Sequence, residues 1–318
     1  MNEPTLHHFT LAHREGSNAS KRMAYWSWGD TSAAHLVLCV HGLTRQGRDF
    51  DVLAQAILDK ASSRGESTRV VCVDIIGRGV SDWLDDPAGY TYPDYTQDMA
   101  AFLAALHGER PFTSFDWIGT SMGGLIGMCV LGAYGMGALS LPIAPRCFVI
   151  NDVGPTLEWA AVSRIGQYVG QHKPDVGIFA SEQEAADVMW QLASSFGPHS
   201  KVEWLALSRH QCVRCSDGKY TFAYDPAIAN IFKQITQQSN EQAQAVTWQL
   251  YENITAKTLV TRGLVSDLLS KETAIAMTNR GYKMPVPARL VEFTGVGHAP
   301  TFVAKDQHDV VVNFLWSK

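Results

Sequence analysis

The chain has 318 residues, of which 46% are apolar and 18% charged, and its formal net charge is -5. So low a charged fraction excludes a disordered or coiled-coil protein and favours much buried sheet, in one large α/β domain or a domain carrying a sizeable insertion. The mild negative charge, with no lysine or arginine cluster, argues against nucleic acid and membrane surfaces as partners and for a small diffusing substrate.

The N-terminal Met1-Asn-Glu-Pro-Thr-Leu-His-His8 lacks a basic segment followed by an apolar one, so no secretory signal is visible. From Phe9 to Trp28 the sequence alternates as two strands of an edge hairpin around the polar turn Glu15–Ser20. His35–Val40 is a continuous apolar run, the mark of a parallel strand buried on both faces, and it ends at His41-Gly42-Leu43-Thr44. A helix over 50–59 and a second buried strand, Arg69–Asp74, come next. The glycine-rich loop 75–83 then leads to a helix over 94–107.

The stretch from Phe115 to Gly127 reads as a strand, a tight turn carrying Ser121, and a helix with the small face Gly123, Gly124, Gly127. Gly119-Thr120-Ser121-Met122-Gly123 fits G-x-S-x-G, in which small neighbours let a strained turn lift a serine hydroxyl out at the end of a strand. Arg146–Asp152 is a further strand. Strands alternating with helices predict a mostly parallel sheet with right-handed crossovers.

That alternation stops between Pro155 and about Thr255, where helical patterns cover 157–169, 182–196, 203–212 and 228–235. An all-helical insertion there would sit over the carboxyl ends of the strands, where α/β sheets hold ligands. The expected division is therefore a core of residues 1–154 and 256–318 with a helical cap of residues 155–255. Strands resume at 257–262 and 289–294, with helices over 271–277 and 308–314.

The six cysteines form no disulfide framework, since Cys39, Cys72, Cys129 and Cys147 lie among apolar neighbours. Cys212-Val-Arg-Cys215 has no partner pair at metal-binding spacing and is expected on a helix face. No metal and no membrane span are expected, and cytoplasm is the default compartment.

Covalent hydrolysis of an acyl bond needs a nucleophile, a base, an acid to hold that base, and donors for the oxyanion. Ser121 is the candidate nucleophile and His298, following the last strand between Gly297 and Ala299, the base. For the acid, chain order of serine, acid, histidine favours Asp267 over Asp152, which stands at the end of the earlier strand. The Met122 and Leu43 backbone N-H groups are the candidate oxyanion hole. His41 and Asp74 are expected to brace loops, while Arg45 and Arg48 could meet an anionic substrate or simply face water.

His41-Gly42, Asp74-x-x-Gly-Arg-Gly-x-Ser-Asp82, Gly-Thr-Ser-Met-Gly-Gly, Arg262-Gly-x-x-Ser-Asp267 and Gly-x-Gly-His298 together resemble the α/β-hydrolase superfamily, in order and over nearly the whole chain. The resemblance implies an eight-stranded, mostly parallel sheet with a helical cap, no cofactor, and Ser121, Asp267 and His298 as triad. Fold alone does not fix the substrate. A carboxylic ester hydrolase for small esters is the leading expectation; hydrolysis of carbon-carbon bonds in diketo acids, lactone hydrolysis and a receptor on the same fold are the alternatives. Oligomeric state is not legible.

Overall fold

The computed structural model describes residues 3–12, 20–171 and 177–317; the turn expected over Glu15–Ser20 lies, except for Ser20, outside them. The chain opens with β1 (Thr5–Thr10) and β2 (Arg22–Gly29), followed by β3 (His35–Val40), α1 (Asp51–Ser63), β4 (Thr68–Asp74) and α2 (Tyr92–Glu109). Next come β5 (Ser114–Thr120), α3 (Met122–Gly135) and β6 (Cys147–Asn151). The insertion carries α4 (Trp159–Gln171), β7 (Ile178–Phe179), α5 (Glu182–Leu192), α6 (Lys201–Ser208), β8 (Cys212–Arg214), β9 (Tyr220–Phe222) and α7 (Gln237–Glu252). β10 (Lys257–Gly263), α8 (Lys271–Arg280), β11 (Arg289–Phe293) and α9 (Lys305–Leu315) complete the chain.

Eight strands form one sheet in the order β1-β2-β4-β3-β5-β6-β10-β11. β1 and β2 pair antiparallel and every pairing from β4 to β11 is parallel. Side chains alternate between faces with period two: Leu38, Trp117 and Phe148 join Phe102 and Ile126 in one core, while Cys39, Ile118 and Val149 join Leu53, Ile57 and Leu315 in the other. All of these are essentially inaccessible to water, and each large apolar side chain so buried stabilises the sheet by about 1.5–3 kcal/mol.

The insertion departs from the all-helical expectation. β7, β9 and β8 form a three-stranded antiparallel sheet, and Cys212 and Cys215 lie on and just after β8 as free thiols, not on a helix face. Strands of two or three residues are too short to show a period, and Cys212-Val-Arg exposes much of its surface. The sequence reading also missed α7, whose Gln237-Gln-Ser-Asn-Glu-Gln start carries no apolar stripe. Thr236 and Ser239 cap it reciprocally, and it packs so closely on α3 that a Cβ on Gly132 would stand 2.4 Å from the Leu250 carbonyl oxygen.

Candidate active site

The turn between β5 and α3 holds Ser121 at φ 51 and ψ -114, well outside the ordinary allowed regions for a residue with a side chain. The residues two positions before and after it must be glycines for steric reasons. A Cβ on Gly119 would lie 2.3 Å from the Gly123 carbonyl oxygen, and one on Gly123 would lie 2.0 Å from the Val40 carbonyl oxygen. Close packing of strand and helix thus projects the serine hydroxyl beyond the carboxyl end of the sheet.

His298 comes from the loop after β11, and its Nε2 lies 2.9 Å from Ser121 Oγ. The other ring nitrogen, Nδ1, lies 2.7 Å from Asp152 Oδ2. Asp152 is fully buried directly after β6 at φ 56, and it also accepts the Gly263 N-H at 2.7 Å and the Ser266 hydroxyl at 2.7 Å. Three donors converging on one carboxylate fix the orientation that an imidazole partner requires.

Asp267, favoured on chain order, is not at this position. Its side chain is 52% exposed and pairs with Arg164 of α4 at 2.5 Å. The reason lies in the loop after β10. Ser266 turns inward to Asp152 and accepts the backbone N-H groups of Leu268 and Leu269, so the adjacent Asp267 faces outward. Ser266, which the sequence reading passed over, is the member of the Arg262-Gly-x-x-Ser-Asp267 motif whose side chain reaches the site, beside the Gly263 N-H.

The loop after β3 passes beside the serine, where a Cβ on Gly42 would sit 3.8 Å from that of Ser121. His41 is buried, which pushes its imidazole down to about 3, so the ring is neutral. Its Nε2 accepts the Ile75 N-H at 3.0 Å, leaving Nδ1 to donate to the Gly42 carbonyl at 2.6 Å. Anchoring that carbonyl fixes the plane of the Gly42–Leu43 peptide, and with it the direction of the Leu43 N-H. Met122 opens α3, where backbone donors have no partner in the helix. Among the described residues, neither the Leu43 nor the Met122 N-H is taken up by a protein acceptor.

Arg78 ties these two residues together. Fully buried, it donates to the Leu43 carbonyl at 2.9 Å, the Ile76 carbonyl at 2.9 Å and the Tyr95 hydroxyl at 2.8 Å, and touches Met122 Sδ at 3.5 Å. Asp74 braces the neighbouring loops by accepting the Gly47 and Val80 N-H groups, and its own burial raises it to about 6. Arg48 binds Asp51 and Glu3 and stacks on Trp26 and Trp28, away from the site.

A cavity of about 1110 Å³ lies over the serine and histidine, walled both by insertion residues such as Tyr168, Phe196, Leu207 and Tyr224 and by core residues such as Leu43, Tyr92 and Leu125. Residues of the insertion also hold the histidine loop. The Ser195 hydroxyl donates to the His298 carbonyl at 3.0 Å, the Ser195 carbonyl accepts the Gly297 N-H at 2.6 Å, and His199 Nε2 meets the Thr301 hydroxyl at 2.8 Å. Among the described residues no group of three or more histidines, cysteines and carboxylates is placed to hold a metal ion, and no helix is long and apolar enough to cross a membrane.

Residues 37–314 match the sequence model of the alpha/beta hydrolase family. A 3-hydroxybutyrate-oligomer hydrolase of Cupriavidus necator is 39% identical over 298 residues, 92% of each chain. Among solved structures, an alpha/beta hydrolase from Novosphingobium aromaticivorans is 32% identical with a TM-score of 0.75, covering 99% of both chains. An esterase from Mycobacterium tuberculosis at 18% identity shares the fold, with a TM-score of 0.65 over 100% of this chain and 92% of its own.

Proposed function

Because the chain belongs to the alpha/beta hydrolase family, we propose that it is a serine hydrolase of carboxylic esters, with short oligoesters of 3-hydroxy acids as its substrate class. The observation that carries this reading is the continuous chain from Ser121 Oγ to His298 at 2.9 Å and from His298 to Asp152 at 2.7 Å. The substrate class is taken from the relative that hydrolyses 3-hydroxybutyrate oligomers, and a cavity of about 1110 Å³ has room for several such units. Residues 155–255 act in this reading as the cap that shapes the cavity.

His298 Nε2 takes the Ser121 proton as Oγ attacks the ester carbonyl, and the oxyanion accepts the Leu43 and Met122 N-H groups. Collapse expels the alcohol, here the hydroxyl end of the departing piece, with the proton from His298. Water, deprotonated by the same nitrogen, then attacks the acyl-enzyme and releases the acid. Asp152 holds the imidazole with Nδ1-H towards itself, so that Nε2 faces the serine.

Turnover of 3-hydroxybutyrate dimer and trimer and of p-nitrophenyl butyrate, in wild type and Ser121→Ala, tests the proposal. The variant is expected to lose at least about 10³-fold in kcat, and a fluorophosphonate should label Ser121 alone. Equal rates in the two proteins, or label on another residue, would remove the reading.

A further inference from the structure

Three arginines line the cavity, and they differ in what holds them. Arg45 is almost fully buried, with Nε at 2.6 Å and Nη2 at 2.8 Å on the Asp49 carboxylate. Arg78 is spent on carbonyls and a phenol beneath the serine. Arg164 stands at the mouth on α4, its side chain 56% exposed, and its partner Asp267 is 52% exposed. An ion pair so open to water is weak and readily exchanged for another carboxylate. The walls adjoining this pair, Val162, Ile165 and Leu268, are apolar.

A linear oligoester of a 3-hydroxy acid has a matching distribution of polarity. Its repeating units are neutral and largely apolar, and it carries one charge, the carboxylate at its acid end. We propose that Arg164 is the subsite for that terminal carboxylate, and that Asp267 occupies it by a side-chain carboxylate until the substrate displaces it. The proposal rests on the oligoester reading above and extends it from a reaction to a polarity of binding: the acid end lies at the mouth and the scissile ester over Ser121. A guanidinium suits the task because two of its N-H groups can meet both carboxylate oxygens at once.

The experiment compares 3-hydroxybutyrate trimer with its methyl ester, in which a methyl group caps the terminal carboxylate and removes its charge, and reads the ratio of KM for the acid to KM for the ester, each followed by release of hydroxybutyrate units. Arg164→Gln is expected to raise that ratio about threefold, whereas Asp267→Asn, by removing the competing carboxylate, is expected to lower it. A purely mechanical tie between α4 and the β10 loop predicts instead that both variants act in the same direction on acid and methyl ester alike. That result, or a ratio unmoved by either change, would overturn the subsite. Calorimetric binding of both ligands to Ser121→Ala separates this outcome from failure of the catalytic reading. A carboxylate preference that depends on Arg164 would uphold the subsite even if wild type cleaved neither compound.

Discussion

Holding Ser121 at φ 51 costs about 1–3 kcal/mol in backbone strain, and the surrounding glycines are what make the conformation possible at all. Gly123→Ala would force a methyl to within 2.0 Å of the Val40 carbonyl oxygen, so we expect a stability loss of about 2–3 kcal/mol, read by urea unfolding, together with loss of turnover. In Asp152→Asn the amide oxygen can keep the Gly263 N-H while its NH2 donates to Nδ1 of His298, which puts the ring proton on Nε2, facing Ser121, and leaves no base there. Asp152→Asn should lower kcat by about 10⁴-fold, while Asp267→Asn, whose carboxylate lies outside the hydrogen-bonded chain, should cost kcat at most a few-fold. A reversed ranking in steady-state kinetics would return the role to Asp267. That Ser121 and His298 come together, with the Gly42 loop beside them, was legible because each sits where a strand ends beside glycines. Which aspartate meets His298 was not, because Asp152 directly follows one strand and Asp267 lies in the loop after the adjacent one, and choosing between them turns on Ser266 facing inward, a rotation with no mark in the sequence.

Between elements, the segment around Ser195 and His199 joins the insertion to the loop that carries His298. Ser195→Ala removes the side-chain bond to the His298 carbonyl but leaves the backbone bond from Gly297. We expect kcat to fall several-fold with an unfolding free energy changed by about 1 kcal/mol at most, since the exposed contact tunes where the ring sits more than whether the chain folds. An unfolding loss as large as the kinetic one would assign Ser195 to stability instead. The strands and helices of the sheet were legible from buried runs such as His35–Val40 and Cys147–Asn151, because a strand covered on both faces has no polar positions to confuse the pattern. The small sheet β7-β9-β8 and helix α7 were not: the former is too short for a period, and the latter opens on a polar run and buries only Trp248 and Tyr251, near its far end.

For the molecule as a whole, two buried groups beside the site bind protons differently in the folded and unfolded states, and their effects on stability run in opposite directions. His41 is lowered to about 3 by burial from an ordinary value near 6.5. Between those values the unfolded chain holds the extra proton, so its contribution is present above pH 6.5 and is lost as pH falls. Asp74 is raised to about 6 by burial from about 3.8. Over that interval the folded chain holds the extra proton, so stability from this group declines as pH rises from 3.8 to 6. The two slopes oppose each other between about pH 4 and 6; of the pair only His41 drives loss between pH 6.5 and 6 and again from 3.8 to about 3, and His210, lowered by burial to about 4, adds to the loss below pH 6.5. In His41→Gln, the side-chain amide can still donate to the Gly42 carbonyl and accept the Ile75 N-H without titrating. Lowering the pH from 7 to 4 should therefore cost this variant less unfolding free energy than wild type, by up to about 3 kcal/mol. Urea titrations of both proteins at the two pH values measure the difference, and an equal loss in each would mean that His41 does not carry the acid sensitivity of the fold.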